Sequence, residues 1–199
     1  MDGETITTTC GDDQALADAT HDLVFSSTTY RNRVSGDPAF SSGAVEAAEL
    51  LTTTDIYSNF GERRVLTFNV IFSGDNPSVV NAIKQFLEST SDVTQNNPGV
   101  KNVSMNKYRH VILPQLATDA LGANDSTKKR WWGIAAIHGN VNGWQAYLGE
   151  WEASHLNVMP SSGNNGENVH NDNWTYGTRA GYGIVTLNGK GIIFSCPVS

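Results

Sequence analysis

An α+β fold follows from three features of the chain. Two segments, 41–53 and 77–89, repeat apolar residues at helical spacing. Several other segments are rich in β-branched and aromatic residues and lie between turn-forming clusters. The strands gather after the second helix instead of alternating with helices, which argues against a regular βαβ repeat. The expected architecture is a mixed sheet with two main helices.

Residues 1–40 are rich in Thr, Ser and Asp, and 1–27 are expected to form a flexible or extended amino-terminal segment. Thr5-Ile6-Thr7-Thr8-Thr9 has strand propensity but no clear buried face. Gly11-Asp12-Asp13 and Ser35-Gly36-Asp37-Pro38 read as turns. The first helix spans Ser41 to Thr53, with Ser42 as its cap, Phe40 stapling its start, and Ala44, Val45, Ala47, Ala48, Leu50 and Leu51 at helical spacing.

Arg64 to Ser73 reads as a strand apolar enough to be covered on both faces. Gly74-Asp75-Asn76-Pro77 then starts a helix: Asp75 or Asn76 caps it, and Pro77 sits in the first turn, where its missing N–H does no harm. Val79, Val80, Ile83, Phe86 and Leu87 form its apolar stripe.

Further strands are expected over Asn106–Pro114 (apolar residues Tyr108, Val111, Ile112, Leu113), Arg130–Ile137 and Trp144–Glu152. Thr118–Thr127 and 160–173 read as polar loops. Trp174 to Cys196 reads as two strands split at Asn188-Gly189, a strong hairpin signal.

Composition narrows the function. The 199 residues suit one domain, and only 17% are charged, against roughly 25% in a typical soluble domain. So weakly charged a surface suits a subunit covered by neighbours. The net charge is −7, and the densest basic group is only Lys128, Lys129 and Arg130, which argues against a free-standing nucleic-acid binder. Cys10 and Cys196 form no CxxC pair and no zinc spacing, which points to a reducing compartment without a disulfide scaffold. Residues 1–13 lack the pattern of a signal peptide, and no apolar run is long enough for a membrane span.

Motifs for catalysis are absent from the sequence: no phosphate-binding glycine loop, no G-x-S-x-G elbow, no H-E-x-x-H. Glu150 and Glu152 project to one face of a strand and are read as a solvated face; as a glycosidase pair they would need a cleft to converge in. The histidines at 21, 110, 138, 155 and 170 are scattered and read as surface or loop residues. A metal site from His138, His155 and His170 would need loops to converge, so no metal or cofactor is expected. Trp131, Trp132, Trp144, Trp151 and Trp174 could line a sugar platform, but aromatics on strands more often pack a core or an interface.

One resemblance runs through residues 28–196. The strand–helix unit Val70 to Glu88 turning at Asp75-Asn76-Pro77, then Lys107-Tyr108-Arg109-His110-Val111-Ile112-Leu113-Pro114, and then Trp131-Trp132-Gly133-Ile134-Ala135 follow one another. Next come Leu148-Gly149-Glu150-Trp151-Glu152 and then Trp174 to Gly183, ending Gly-Tyr-Gly; Ser35 to Phe40 precedes them all. This order resembles the major head subunits of Mu-like tailed phages.

The resemblance implies the Hong-Kong-97-type coat fold, with an axial and a peripheral lobe, over a coat domain at 28–199. The implied function is a structural, non-enzymatic capsid subunit that self-assembles into an icosahedral shell enclosing DNA. Its partners would be itself, as pentamers and hexamers, and scaffold, portal or decoration proteins, with only weak, non-specific contact to packaged DNA and none to membrane. Its place would be the virion, assembled in the host bacterium's cytoplasm. Subunit-interface candidates are Lys128, Lys129, Arg130, Trp131, Trp132, Trp151, Trp174 and Arg179. The family carries an arm, a spine helix and an extended loop before the matched region, and this sequence departs from that pattern in having little of it before Thr28. The alternatives are a carbohydrate-binding or phage tail-type module and a glycoside hydrolase using Glu150 and Glu152.

Overall fold

A computed structural model describes residues 10, 12–23, 25–55, 67–91, 101–119, 122–136, 145–159 and 175–198. The chain divides into two compact units, Met1–Gln145 with Thr186–Ser199, and Ala146–Val185. The class is mixed α+β. In chain order the elements are β1 (His21–Leu23), β2 (Ser26–Tyr30), α1 (Ser42–Thr54), β3 (Val70–Ser73), α2 (Pro77–Glu88), β4 (Arg109–Ile112), β5 (Trp132–Ala135), β6 (Gln145–Met159), β7 (Thr175–Asn188) and β8 (Ile192–Ser195).

The first unit is built on a four-stranded sheet in the order β4-β3-β5-β8. β3 runs parallel to β4 and antiparallel to β5, and β5 runs antiparallel to β8. β3, α2 and β4 therefore make one βαβ crossover, a local unit that the sequence order alone concealed. Every residue of β3, β5 and β8 is buried, as expected for strands covered on both faces.

Side chains alternate across that sheet. Ile71, Ile134 and Ile193 pair across β3, β5 and β8 and face α1 and α2, packing with Val45, Ala48, Ile83, Phe86 and Leu87. Val70, Phe72, Ala135, Ile192 and Phe194 point the other way, onto Leu16, Val111, Leu116 and Trp131. Phe72 and Phe194 flank Gly133 in register, and their rings meet edge-on at 5.2 Å. A β-carbon at Gly133 would overlap the Ile193 carbonyl oxygen and the Phe72 ring.

The helices start as their sequences dictate, with one shift. Ser41, not Ser42, caps α1, its hydroxyl accepting from Ala44 N–H at 3.2 Å. Asn76 caps α2 through Ser78 N–H at 2.9 Å, with Pro77 next in the first turn. The other end of α2 is closed from a distance: the buried Asn102 amide donates to the carbonyls of Phe86 (2.7 Å) and Ser89 (2.9 Å). Glu49 on α1 holds Lys107 Nζ at 2.8 Å and the Tyr108 hydroxyl, which fixes the approach to β4.

Three sequence expectations need correction. The first sheet strand is only Val70–Ser73; residues 67–69 are outside it and 64–66 lie outside the described residues. The strand expected over Asn106–Pro114 is only Arg109–Ile112, and Ile112 and the following Leu113 are exposed. Asn188-Gly189 is no hairpin tip: β7 pairs with β6 and β8 with β5, so this turn carries the chain from one sheet to another. The expected amino-terminal segment contains the buried Cys10, His21 and Leu23.

The second unit contains all of β6 after Gln145 and β7 as far as Val185; the two strands, of 15 and 14 residues, pair in a two-stranded sheet. Among the described residues, no helix is long and apolar enough to cross a membrane.

Gly133→Ala is expected to lower the unfolding free energy by about 3 kcal/mol, the upper part of the overpacking range, because one obstacle is backbone. Gly43→Ala, where nothing lies within 4 Å, is expected to be neutral or to stabilise by up to ~1 kcal/mol. Urea denaturation of the two variants beside the wild type checks the contrast.

Candidate functional site

The basic cluster forms a 3-10 turn, Lys128–Arg130, ahead of β5. Just ahead of it the Asp125 carboxylate accepts from Thr127 N–H at 2.9 Å and holds Lys128 Nζ at 3.8 Å. Lys128 also lies over the Trp131 ring, and Lys129 Nζ reaches Asp75 at 4.0 Å. These long, partly exposed pairs contribute at most ~1 kcal/mol each. Arg130 is exposed and borders a groove of about 300 Å³ with Phe40, Val79 and Pro197.

The two adjacent tryptophans part company. Trp132 is fully buried; its ring meets Phe40 edge-on and its N–H donates to the Pro38 carbonyl at 3.0 Å. That corrects its place among the interface candidates: a side chain enclosed on every side reaches no neighbour. Trp131 packs on the opposite face of the sheet, and its buried Nε1–H has no acceptor among the described residues. Trp151 and Arg179 lie on β6 and β7, with side chains outside the described residues, as is Trp174.

Glu150 is exposed, and the side chain of Glu152 lies outside the described residues. A second arrangement that could suggest hydrolysis is Ser73 Oγ, 3.0 Å from His110 Nε2. Ser73 is fully buried and its hydroxyl also lies 2.9 Å from the Gly74 carbonyl oxygen, which takes its one proton. His110 then donates to Ser73 rather than activating it, and burial together with the Lys84 charge lowers the His110 pKa. The pair fastens β3 to β4.

The densest polar constellation involves residues read as turn and loop. His21 is fully buried, which corrects its reading as a surface or loop histidine. Its ring stacks on Tyr30 at 4.7 Å, with Nδ1 2.8 Å from Asp12 Oδ2 and Nε2 3.1 Å from Asn32 Oδ1. Asn32, also fully buried, uses its whole hydrogen-bonding capacity. Its amide donates to the carbonyls of Leu16 (2.6 Å) and Gly189 (3.2 Å), and its oxygen also accepts from Asp18 N–H at 2.9 Å.

Cys10 completes the group: its Sγ and one ligand atom each of Asp12 and His21 all lie within 4.8 Å of one another. Burial, and secondarily the Asp12 charge, pushes the Cys10 thiol up to about 11. Burial likewise pushes Cys196 up to about 11. Both are free, protonated thiols at neutral pH and poor nucleophiles. Nothing in the spacing of Cys10, Asp12 and His21 forms a recognisable motif. The one legible hint was polar residues flanking the His21-Asp22-Leu23 alternation. His138 and His170 lie outside the described residues, as does the His155 side chain.

Beside this group, Asp37 takes a two-pronged ion pair from Arg33 (2.9 and 2.6 Å) and accepts from Cys196 N–H at 3.0 Å. The Arg33 hydrogen bonds, with the Cys196 N–H adding to them, hold its carboxyl below the ordinary value of 3.8. A carboxyl depressed in the folded state stabilises above its unfolded pKa and loses that contribution as pH falls through the folded value. Asp37→Asn keeps the shape and suits the positive φ of 44° there. The urea midpoint of the wild type is therefore expected to exceed that of the variant near pH 7, with the gap shrinking below about pH 4. No family model matches the chain, nor does any curated protein or solved structure.

Proposed function

We propose that this chain is the coat-building part of a tailed-phage major capsid protein, a non-catalytic subunit that tiles with its own copies into an icosahedral shell around DNA. The observation that carries the reading is the β6–β7 ribbon. At about 3.3 Å per residue its strands reach ~45–50 Å. Among the described residues no third strand pairs with it. A two-stranded ribbon is marginal alone in water and leaves rows of N–H and C=O groups unpaired on both outer edges. Neighbouring subunits that cover those edges would supply what the ribbon lacks.

The outer edge of β4 supports the same reading. It carries the exposed Ile112 and Leu113. Lys128, Lys129, Arg130 and Trp131 lie on the first unit, and Trp151, Trp174 and Arg179 fall in the second; these remain the proposed interface residues. Heterologous contacts of this kind close into pentamers and hexamers, and many modest contacts acting together give a stable shell. In the Hong-Kong-97-type arrangement the two units would contribute to the axial and peripheral lobes. The particle would assemble in the bacterial cytoplasm with scaffold, portal or decoration proteins and touch DNA only weakly.

Negative-stain microscopy and light scattering on the full-length gene product test this. Capsomer rings or closed shells are expected. A species that stays monomeric at every concentration overturns the proposal.

A further inference from the structure

We propose that Cys10, Asp12 and His21 form a site for one divalent transition-metal ion, zinc by preference, which pins the amino-terminal segment to the body of the first unit. The inference is independent of the capsid reading.

The geometry makes the case through the orientation of His21. The Asn32 amide is committed to two carbonyls, so its oxygen can only accept, and His21 Nε2 must donate to it. A metal-binding histidine has this arrangement: one ring nitrogen donates to a fixed acceptor, and the other is left to the metal. The other nitrogen, Nδ1, lies 2.8 Å from Asp12 Oδ2, and the Cys10 sulfur lies within 4.8 Å of one ligand atom of each residue. In the metal-free chain a hydrogen bond between Nδ1 and Oδ2 accounts for their 2.8 Å separation.

The donor set selects the ion. One sulfur, one imidazole nitrogen and one carboxylate oxygen are zinc ligands. With metal–nitrogen and metal–oxygen distances near 2.0–2.2 Å, a tetrahedral site spaces those two ligands by about 3.3 Å. The 2.8 Å proton-bridged pair would therefore open by roughly half an ångström. Three protein ligands leave the fourth position to water, and the Asp12 side chain, 12% exposed, gives solvent access.

The role is structural. His21 and Asn32 are fully buried, and Asn32 connects the site to Leu16, Asp18 and Gly189. Binding exchanges one Zn²⁺ for two protons, one from the Cys10 thiol and one from between His21 and Asp12, so charge balances.

The test uses the full chain, reduced and stripped of metal with a chelator, titrated with Co²⁺ and then Zn²⁺. One Co²⁺ per chain is expected, with a thiolate-to-cobalt charge-transfer band that Zn²⁺ abolishes, and release of two protons per Zn²⁺ in calorimetry across buffers. Cys10→Ser should lose the band, Cys196→Ser should keep it, and Asp12→Asn should weaken Zn²⁺ binding by more than the ~10–100-fold typical of an outer ligand partner. If Cys10→Ser does not fold, Asp12→Asn decides, together with a melting temperature that Zn²⁺ raises in the wild type only. Absence of the band in the wild type overturns the proposal, as does a band that survives Cys10→Ser and vanishes in Cys196→Ser.

Discussion

The buried amide of Asn32 is the interaction on which the first unit's organisation turns. It sits at 0% exposure and makes four hydrogen bonds to parts of the chain up to 157 residues apart. Its backbone works as well: the Asn32 carbonyl accepts from Phe194 N–H at 2.8 Å, and Val34 N–H donates to the Phe194 carbonyl. The segment thereby lies along the outer edge of β8. One residue so joins the polar start of the chain, the histidine of the proposed metal site, and the strand that closes the sheet. A neutral apolar residue of similar size would leave two carbonyls, an amide and a ring N–H unsatisfied, each costing about 1–3 kcal/mol. Gly189 shares the constraint, since a β-carbon there would overlap the Asn32 amide and lie 3.2 Å from the Leu16 carbonyl oxygen.

The sheet obeys a second constraint that follows from having two apolar faces. Strands of four residues bury little each, so stability depends on both faces being filled. Ile71, Ile134 and Ile193 fill the helix side, while Phe72 and Phe194 close over Gly133 on the other. The Ser195 hydroxyl and Trp132 N–H both donate to the Pro38 carbonyl, which anchors the approach to α1 at the end of the same strand pair. The two tryptophans at 131 and 132 sit on opposite faces because side chains alternate along an extended chain. A double tryptophan therefore contributes one residue to each layer.

Much of this was legible in the sequence where local physics decides. Asn76-Pro77 announced a helix start, the stripe from Val80 to Leu87 announced its buried face, and the apolar run ending at Ser73 announced a strand covered twice. What escaped depended on partners remote in the chain. Asn102 closing α2 and Asn32 anchoring His21 are ordinary polar residues until the fold brings carbonyls to them. Asn188-Gly189 carried a hairpin signal that tertiary pairing overrode, because β8 finds its partner in β5. The candidate site was illegible for the same reason: Cys10, Asp12 and His21 have no motif spacing, and a turn at Cys10–Gln14 folded against β1 brings them together.

The placement of reactive and unpaired groups bears on what kind of work the molecule can do. Catalysis needs a nucleophile or base that a substrate can reach, held with its pKa near the working pH. Here Ser73 is sealed between strands, and Cys10 and Cys196 are buried and protonated. By contrast, among the described residues β4 pairs with a strand on one side only, and Ile112 and the following Leu113 are exposed. Backbone edges bind other backbone, through ladders whose affinity comes from the main chain and whose specificity comes from alternate side chains. Under the proposed capsid reading, the open edge of β4 is where another protein chain would gain such a ladder.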